Sequence, residues 1–166
     1  RLVIDKVRAA IGKDKIITLR LSQDGVDDFT GTWAGGVATA REIGAALKGA
    51  PVEALHWASF AWRDNRDPSS DVPMSKALRE ASGLPVIVNG GIDQGAEAEA
   101  ALASGAGDMV GVGRPVFANP DWPQMVRSGK PAELVPFSRH YVIKPPLDLS
   151  YDYPADYKAP DWPASW

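Results

Sequence analysis

Short apolar runs alternate with amphipathic stretches along this chain. Arg1 to Ile11 has helical spacing, with Leu2, Val3, Val7, Ala10 and Ile11 assigned to one apolar face, and Gly12 closes it. Ile16 to Leu21 reads as a strand with Arg20 near its C-terminal end, and a loop rich in glycine and aspartate follows from Gln23 to Gly36. Val37 to Lys48 returns to helical spacing, and Ala54 to Ala58 is a second short strand. A loop from Ser59 to Asp71 leads into a helix over Met74 to Ala81 that Gly83 ends. Val86 to Val88 is the third strand. Asp93 stands where it can cap an alanine-rich helix, Ala96 to Ser104, which Gly105 and Gly107 terminate. Met109 to Val112 is the fourth strand, and Asn119 followed by Pro120 reads as the cap and first position of a helix reaching Gly129.

A helix followed by four strand-helix units predicts an α/β protein with a parallel sheet, because parallel neighbours need crossover connections of this kind. The expected division is a βα body over residues 1–138 and a tail over 139–166. That tail is rich in proline and carries Tyr141, Tyr151, Tyr153, Tyr157, Trp162 and Trp166, so it is expected to dock on a surface. The first residue is Arg1 and the chain opens inside an amphipathic pattern, from which we expect sequence upstream.

The 166 residues, 45% of them hydrophobic, suffice for one sizeable core. With 18 basic and 21 acidic residues the net charge is −3 and no lysine-arginine stripe with interleaved aromatics occurs, which argues against nucleic acid as a partner. No apolar stretch reaches the roughly 18 residues of a membrane span. No cysteine is present, which excludes disulfides, thiolate metal sites and a cysteine nucleophile, and agrees with a cytoplasmic location. Two histidines, His56 and His140, argue against a histidine-rich metal site.

Two glycine signatures carry the candidate chemistry. Pro85 to Gly91 and Met109 to Pro115 each run from an apolar strand into glycine, the second continuing to Gly113-Arg114. Glycines at a strand exit let backbone N–H groups approach an anion, and a guanidinium binds phosphate oxygens through paired hydrogen bonds. Gly90, Gly91, Gly113 and Arg114 are therefore the candidate phosphate cradle. Arg20, at another strand end, is either a second ligand contact or a partner of Asp24 or Asp28. His56, beside Trp57 inside a strand, is expected to be a packed core histidine without a catalytic role. Trp62, Arg63 and Arg66 either border a substrate mouth or belong to a solvated loop.

Leu19-Arg20-Leu21-Ser22, Pro85 to Gly91, Gly111 to Pro115 with Asn119-Pro120-Asp121-Trp122, and Asp152-Tyr153-Pro154, in that order, resemble the C-terminal half of old yellow enzyme-type ene-reductases. The resemblance implies strands five to eight of an FMN-dependent (β/α)8 barrel, whose full length is about 250 residues or more. It implies that Arg20 lies beside the N1 and C2-carbonyl edge of FMN, and that Gly90, Gly91, Gly113 and Arg114 hold the FMN phosphate. Gly91 stands where some relatives carry a larger residue, so its contact there is through backbone. NAD(P)H is the implied hydride donor and an activated alkene, conjugated to a carbonyl or nitro group, the implied substrate. The substrate-binding polar pair and the proton-donating tyrosine of that family belong to an earlier part of the barrel, so no catalytic residue is assigned here. The absence of a cysteine cluster points to the FMN-only branch. Completion of such a half barrel is expected from a partner carrying the first four strands or from a second copy of this chain. The alternatives are a half barrel that binds FMN or another phosphate without turnover, and a different phosphate-binding barrel enzyme.

Overall fold

The computed structural model describes residues 1–24, 32–63, 67–129 and 134–137. The aromatic tail, with Asp152 to Pro154, and Arg66 and Asp28 lie outside these residues. Ten elements follow in order: α1 Leu2–Ile11, β1 Thr18–Ser22, α2 Gly36–Leu47, β2 Ala54–Ala58, α3 Met74–Ser82, β3 Val86–Asn89, α4 Gly95–Ala103, β4 Met109–Gly111, α5 Arg114–Ala118 and α6 Trp122–Arg127. Two compact units are formed, 1–112 and 113–166.

In the first unit the four strands make one parallel sheet in the order β1-β2-β3-β4. Register assigns the faces. Leu55 pairs with Val86 and Trp57 with Val88, and these four side chains are at most 2% exposed. They form the helix-covered face, under which Met74, Ala77 and Leu78 of α3 and Ala40 of α2 are also buried. α2 and α3 pack closely at Gly44, where a Cβ would lie 2.7 Å from the Leu78 carbonyl oxygen and 2.8 Å from Ala81 Cβ. The opposite face carries the rows Arg20, His56, Ile87, Met109 and Ser22, Ala58, Asn89, Gly111. It is mixed in character, with Arg20, Ser22, His56 and Asn89 among Ala58, Ile87 and Met109.

Below the N-terminal ends of the strands, ion pairs fasten helices to the sheet. Arg8 of α1 donates to both Glu53 carboxylate oxygens at 2.6 and 2.7 Å and to the carbonyls of Pro51, Gly12 and Lys15. Glu53 also accepts the Ile17 N–H, and that bond, with Arg8 next, holds its carboxyl below the usual range. Arg79 of α3 donates through Nε and Nη2 to Asp108, whose Oδ2 also accepts the Val86 N–H at the start of β3.

Several expectations shift. Strand β1 begins at Thr18, and Ile16 is 79% exposed. The apolar face assigned to α1 is outward, with Leu2 and Val3 the most exposed, while Ile4 and Arg8 attach the helix. α4 is preceded by Gln94 at its cap position rather than opened by Asp93. Among the described residues no helix is long and apolar enough to cross a membrane.

The second unit opens with the short α5, which the sequence reading did not anticipate. Asn119 ends α5 instead of capping the next helix. Its amide donates to the Pro115 and Val135 carbonyls at 3.0 and 2.9 Å, and its Oδ1 accepts the Val135 N–H at 2.8 Å. Asp121 is the residue before α6, with Pro123 in the first turn. Phe117 packs against Phe137 at a centroid distance of 6.4 Å.

Candidate functional site

Parallel strands in register bring their C-terminal ends to one edge, and in open α/β sheets and barrels that edge is where ligands bind. Asn89 stands there as the last residue of β3, whereas Arg20, expected near a strand end, and His56 are the middle residues of β1 and β2. Arg20 pairs with His56 across the β1–β2 ladder, so both side chains leave the sheet on the face away from the helices. Arg20 makes no ion pair with Asp24, whose Oδ2 accepts the Phe60 N–H. What Arg20 meets is His56: its Nη1 lies 3.1 Å from Nδ1 and 3.1 Å from Nε2. A nitrogen at that equal separation cannot sit in the ring plane, where it would overlap Cε1. It lies over the face of the ring, as guanidinium groups stack on aromatic faces.

The ring itself is set by its other neighbour. Asn89 Nδ2 donates to the Ser59 carbonyl at 3.3 Å and Ser59 Oγ donates to the Asn89 carbonyl at 2.9 Å. A carbonyl can only accept, so the amide nitrogen faces Ser59 and Asn89 Oδ1 faces His56 Nε2 at 3.2 Å. His56 therefore donates from Nε2–H. Burial, and after it the Arg20 charge, pushes the His56 pKa below its usual value, against the pull of Asn89. A neutral imidazole is the form that tolerates a cation on its face. The expected packed core histidine is instead half-buried on the face away from the helices, between Arg20 and Asn89. The signal available in sequence was the matching position of Arg20 and His56 in successive strands, which only the register makes legible.

Gly90 and Gly91, the next two residues after β3, differ. Gly90 has φ +111°, and a Cβ there would run into the Ser59 carbonyl oxygen and lie 2.8 Å from the Phe60 carbonyl carbon and 2.9 Å from the Ala61 nitrogen. Its carbonyl accepts the Trp62 N–H at 3.1 Å. Gly90 is thus bare because the backbone leaving β2 presses on it. Gly91 has φ +63°, is exposed, and has no atom nearer its Cβ position than 3.9 Å. Of the two, Gly91 has the open approach that an anion at a backbone N–H needs.

The start of the loop after β2 is anchored to α4. Trp62 is buried, its indole N–H reaches Glu97 of α4 at 3.4 Å, and Arg63 lies 4.2 Å over the Trp62 ring while its Nη2 pairs with Glu97 at 3.0 Å. Trp33, before α2, donates to the Ser22 carbonyl and meets Trp57 edge-on at 5.0 Å. In the second unit, Gly113 precedes α5 with open space at its Cβ position, and Arg114 is the exposed first residue of that helix. Among the described residues no cluster of histidine and acidic side chains is arranged to hold a metal ion.

Comparison with known proteins identifies the family and the fold. A profile of the NADH:flavin oxidoreductase / NADH oxidase family matches residues 1–133. An NADH oxidase of Thermoanaerobacter brockii is 28% identical over 140 residues, which are 80% of this chain and 21% of that protein. Among solved structures, a morphinone reductase variant in complex with tetrahydroNAD superposes with a TM-score of 0.58 at 26% identity, over 77% of this chain and 33% of that one. A variant of NCR from Zymomonas mobilis gives 0.60 at 25% identity, over 87% and 46%. The chain spans less than half the length of each of these relatives, and its parallel sheet with outer helices is part of an old yellow enzyme-type (β/α)8 barrel. With more than three quarters of its residues matched, the chain belongs to the NADH:flavin oxidoreductase / NADH oxidase family.

Proposed function

We propose that this chain supplies the FMN-holding part of an NAD(P)H-dependent oxidoreductase that reduces activated alkenes, those conjugated to a carbonyl or nitro group. The observation that carries the reading is Arg20: a cation in the middle of β1, on the face away from the helices, stacked on a histidine and without a carboxylate partner among the described residues. Such a group fits the electron-rich N1 and C2-carbonyl edge of a flavin. The open Gly91 fits a phosphate oxygen at its backbone N–H. Gly90 shapes that exit, and Gly113 with Arg114 are the further phosphate contacts proposed from the sequence. Bound FMN would supply hydride acceptance and donation. The chain's own contribution is placement of the cofactor and a fixed positive charge where negative charge develops.

The polar pair for the substrate carbonyl and the proton donor are proposed to come from the first four strands of the barrel, carried by a partner segment or replaced by a second copy of this chain. The test is an FMN titration of the purified chain followed by flavin fluorescence, then anaerobic addition of NADPH and an enone. Saturable binding that Arg114→Ala weakens supports the reading. Lack of binding by FMN, with retained binding of inorganic phosphate, would replace it by that of another phosphate-binding barrel.

A further inference from the structure

The proposed function gives roles to the glycines, Arg114 and Arg20, but none to the imidazole and amide lined up beside Arg20. Resting on the FMN reading above, we propose that His56 is a positioning residue for Arg20: its ring face, oriented by Asn89, holds the guanidinium on the sheet face where the anionic edge of the flavin would bind.

Three observations carry this independently of one another. Register puts Arg20 and His56 side by side, so the contact is built into the sheet. Nη1 is equidistant from the two ring nitrogens, which requires a face contact and not an in-plane hydrogen bond. The bond from Asn89 Nδ2 to the Ser59 carbonyl fixes which way the Asn89 amide points, which makes Asn89 Oδ1 the acceptor and His56 the donor from Nε2. A free arginine samples many rotamers, and holding it in one removes an entropic cost from ligand binding. Among the described residues the charged group beside His56 on this face is Arg20. Asn89 from β3 is uncharged, and from β4 Gly111 comes within 3.6 Å of Nε2, counted from its Cβ position, leaving room for the ring where a larger side chain would displace it. Protonation of His56 would set two cations face to face, so the clamp works with the imidazole neutral.

The experiment has two parts. Long-range proton–nitrogen correlation spectra of the whole chain, with His140→Gln for assignment, read the His56 tautomer and its titration. The expected result is the Nε2–H tautomer, with the titration moved upward in Arg20→Ala, because a neighbouring positive charge has been removed. An Nδ1–H tautomer, or a titration indifferent to Arg20→Ala, would overturn the proposal. FMN titration then compares two substitutions. His56→Phe keeps a flat aromatic face but loses the bond to Asn89, and is expected to weaken FMN binding less than His56→Ala, which loses roughly two- to tenfold, the worth of one stacked cation. Equal loss in both, or none in His56→Ala, would also overturn it. If wild type binds no FMN, the flavin reading fails, and the tautomer and titration still decide the Arg20–His56 pairing.

Discussion

Replacing Gly90 by alanine separates two reasons for a glycine at the end of β3. The residue has φ +111°, a region that costs a side-chain-bearing residue about 1–3 kcal/mol. The new methyl would also meet the backbone of Ser59, Phe60 and Ala61, and none of these atoms is the free end of a flexible side chain. Overpacking of this kind costs about 1–3 kcal/mol more. The total, about 2–6 kcal/mol, is a large part of the 5–15 kcal/mol that natural domains possess. Gly91→Ala meets no comparable obstruction, since the nearest atoms are 3.9 and 4.0 Å away, and its left-handed backbone costs only about 1–2 kcal/mol. Urea unfolding followed by tryptophan fluorescence measures both, with the midpoint of Gly90→Ala expected well below that of Gly91→Ala. Gly90→Ala as stable as Gly91→Ala would refute the claim that the chain leaving β2 excludes a side chain at residue 90. In the same pair, Gly91→Ala is the variant that keeps the fold while crowding the proposed phosphate approach.

Two further outcomes follow from packing and charge. Gly44→Ala gains about 1 kcal/mol in helix propensity but drives a methyl into the Leu78 carbonyl and Ala81, so calorimetry should show a lower Tm; a higher Tm would mean that α2 and α3 are less tightly apposed than described. Arg79, followed by the Val86 N–H, holds the Asp108 carboxyl below its usual range, so its contribution to stability is complete above the ordinary carboxylate pKa and is lost as pH falls through the lowered one. Asp108→Asn should therefore lose less stability than wild type between neutral and acid pH, and parallel pH profiles would contradict this assignment.

Much of the fold was legible in sequence because strand and helix periods are local properties. The four strands and the helices between them stand near their expected positions, and the strand exits at Gly90 and Gly113 fall where glycine announces them. What failed was non-local. His56 looks like a core residue from its apolar neighbours Leu55 and Trp57, and only pairing with β1 places it beside Arg20. Sequence leaves Trp62 and Arg63 open between a substrate mouth and a solvated loop, and only α4, which brings Glu97 to them, shows what they touch. Helix α5 escaped because its five residues are too few to show a period, and Asn119 was misread because its partner, Val135, lies sixteen positions on. The apolar arc of α1 was visible, but which side faces the sheet was decided by Arg8 finding Glu53 and three carbonyl oxygens.

The start of α2 is borrowed from a later part of the chain. Gly35 at its cap position offers no side-chain acceptor, and the first turn is closed by Asp67, whose Oδ2 takes the Val37 N–H at 2.9 Å from thirty residues downstream, in space left by the missing Cβ of Gly36. Ser69, through its hydroxyl and backbone N–H, holds the other oxygen of the same carboxylate. During synthesis the α2 segment emerges before its cap exists, and its N-terminal turn stays frayed until β2 has been laid beside β1 and the following loop has arrived. Order in the helix and order in the loop are then won in a single step, so amide exchange at Val37 should report the opening of the Asp67 loop rather than of the helix to which Val37 belongs.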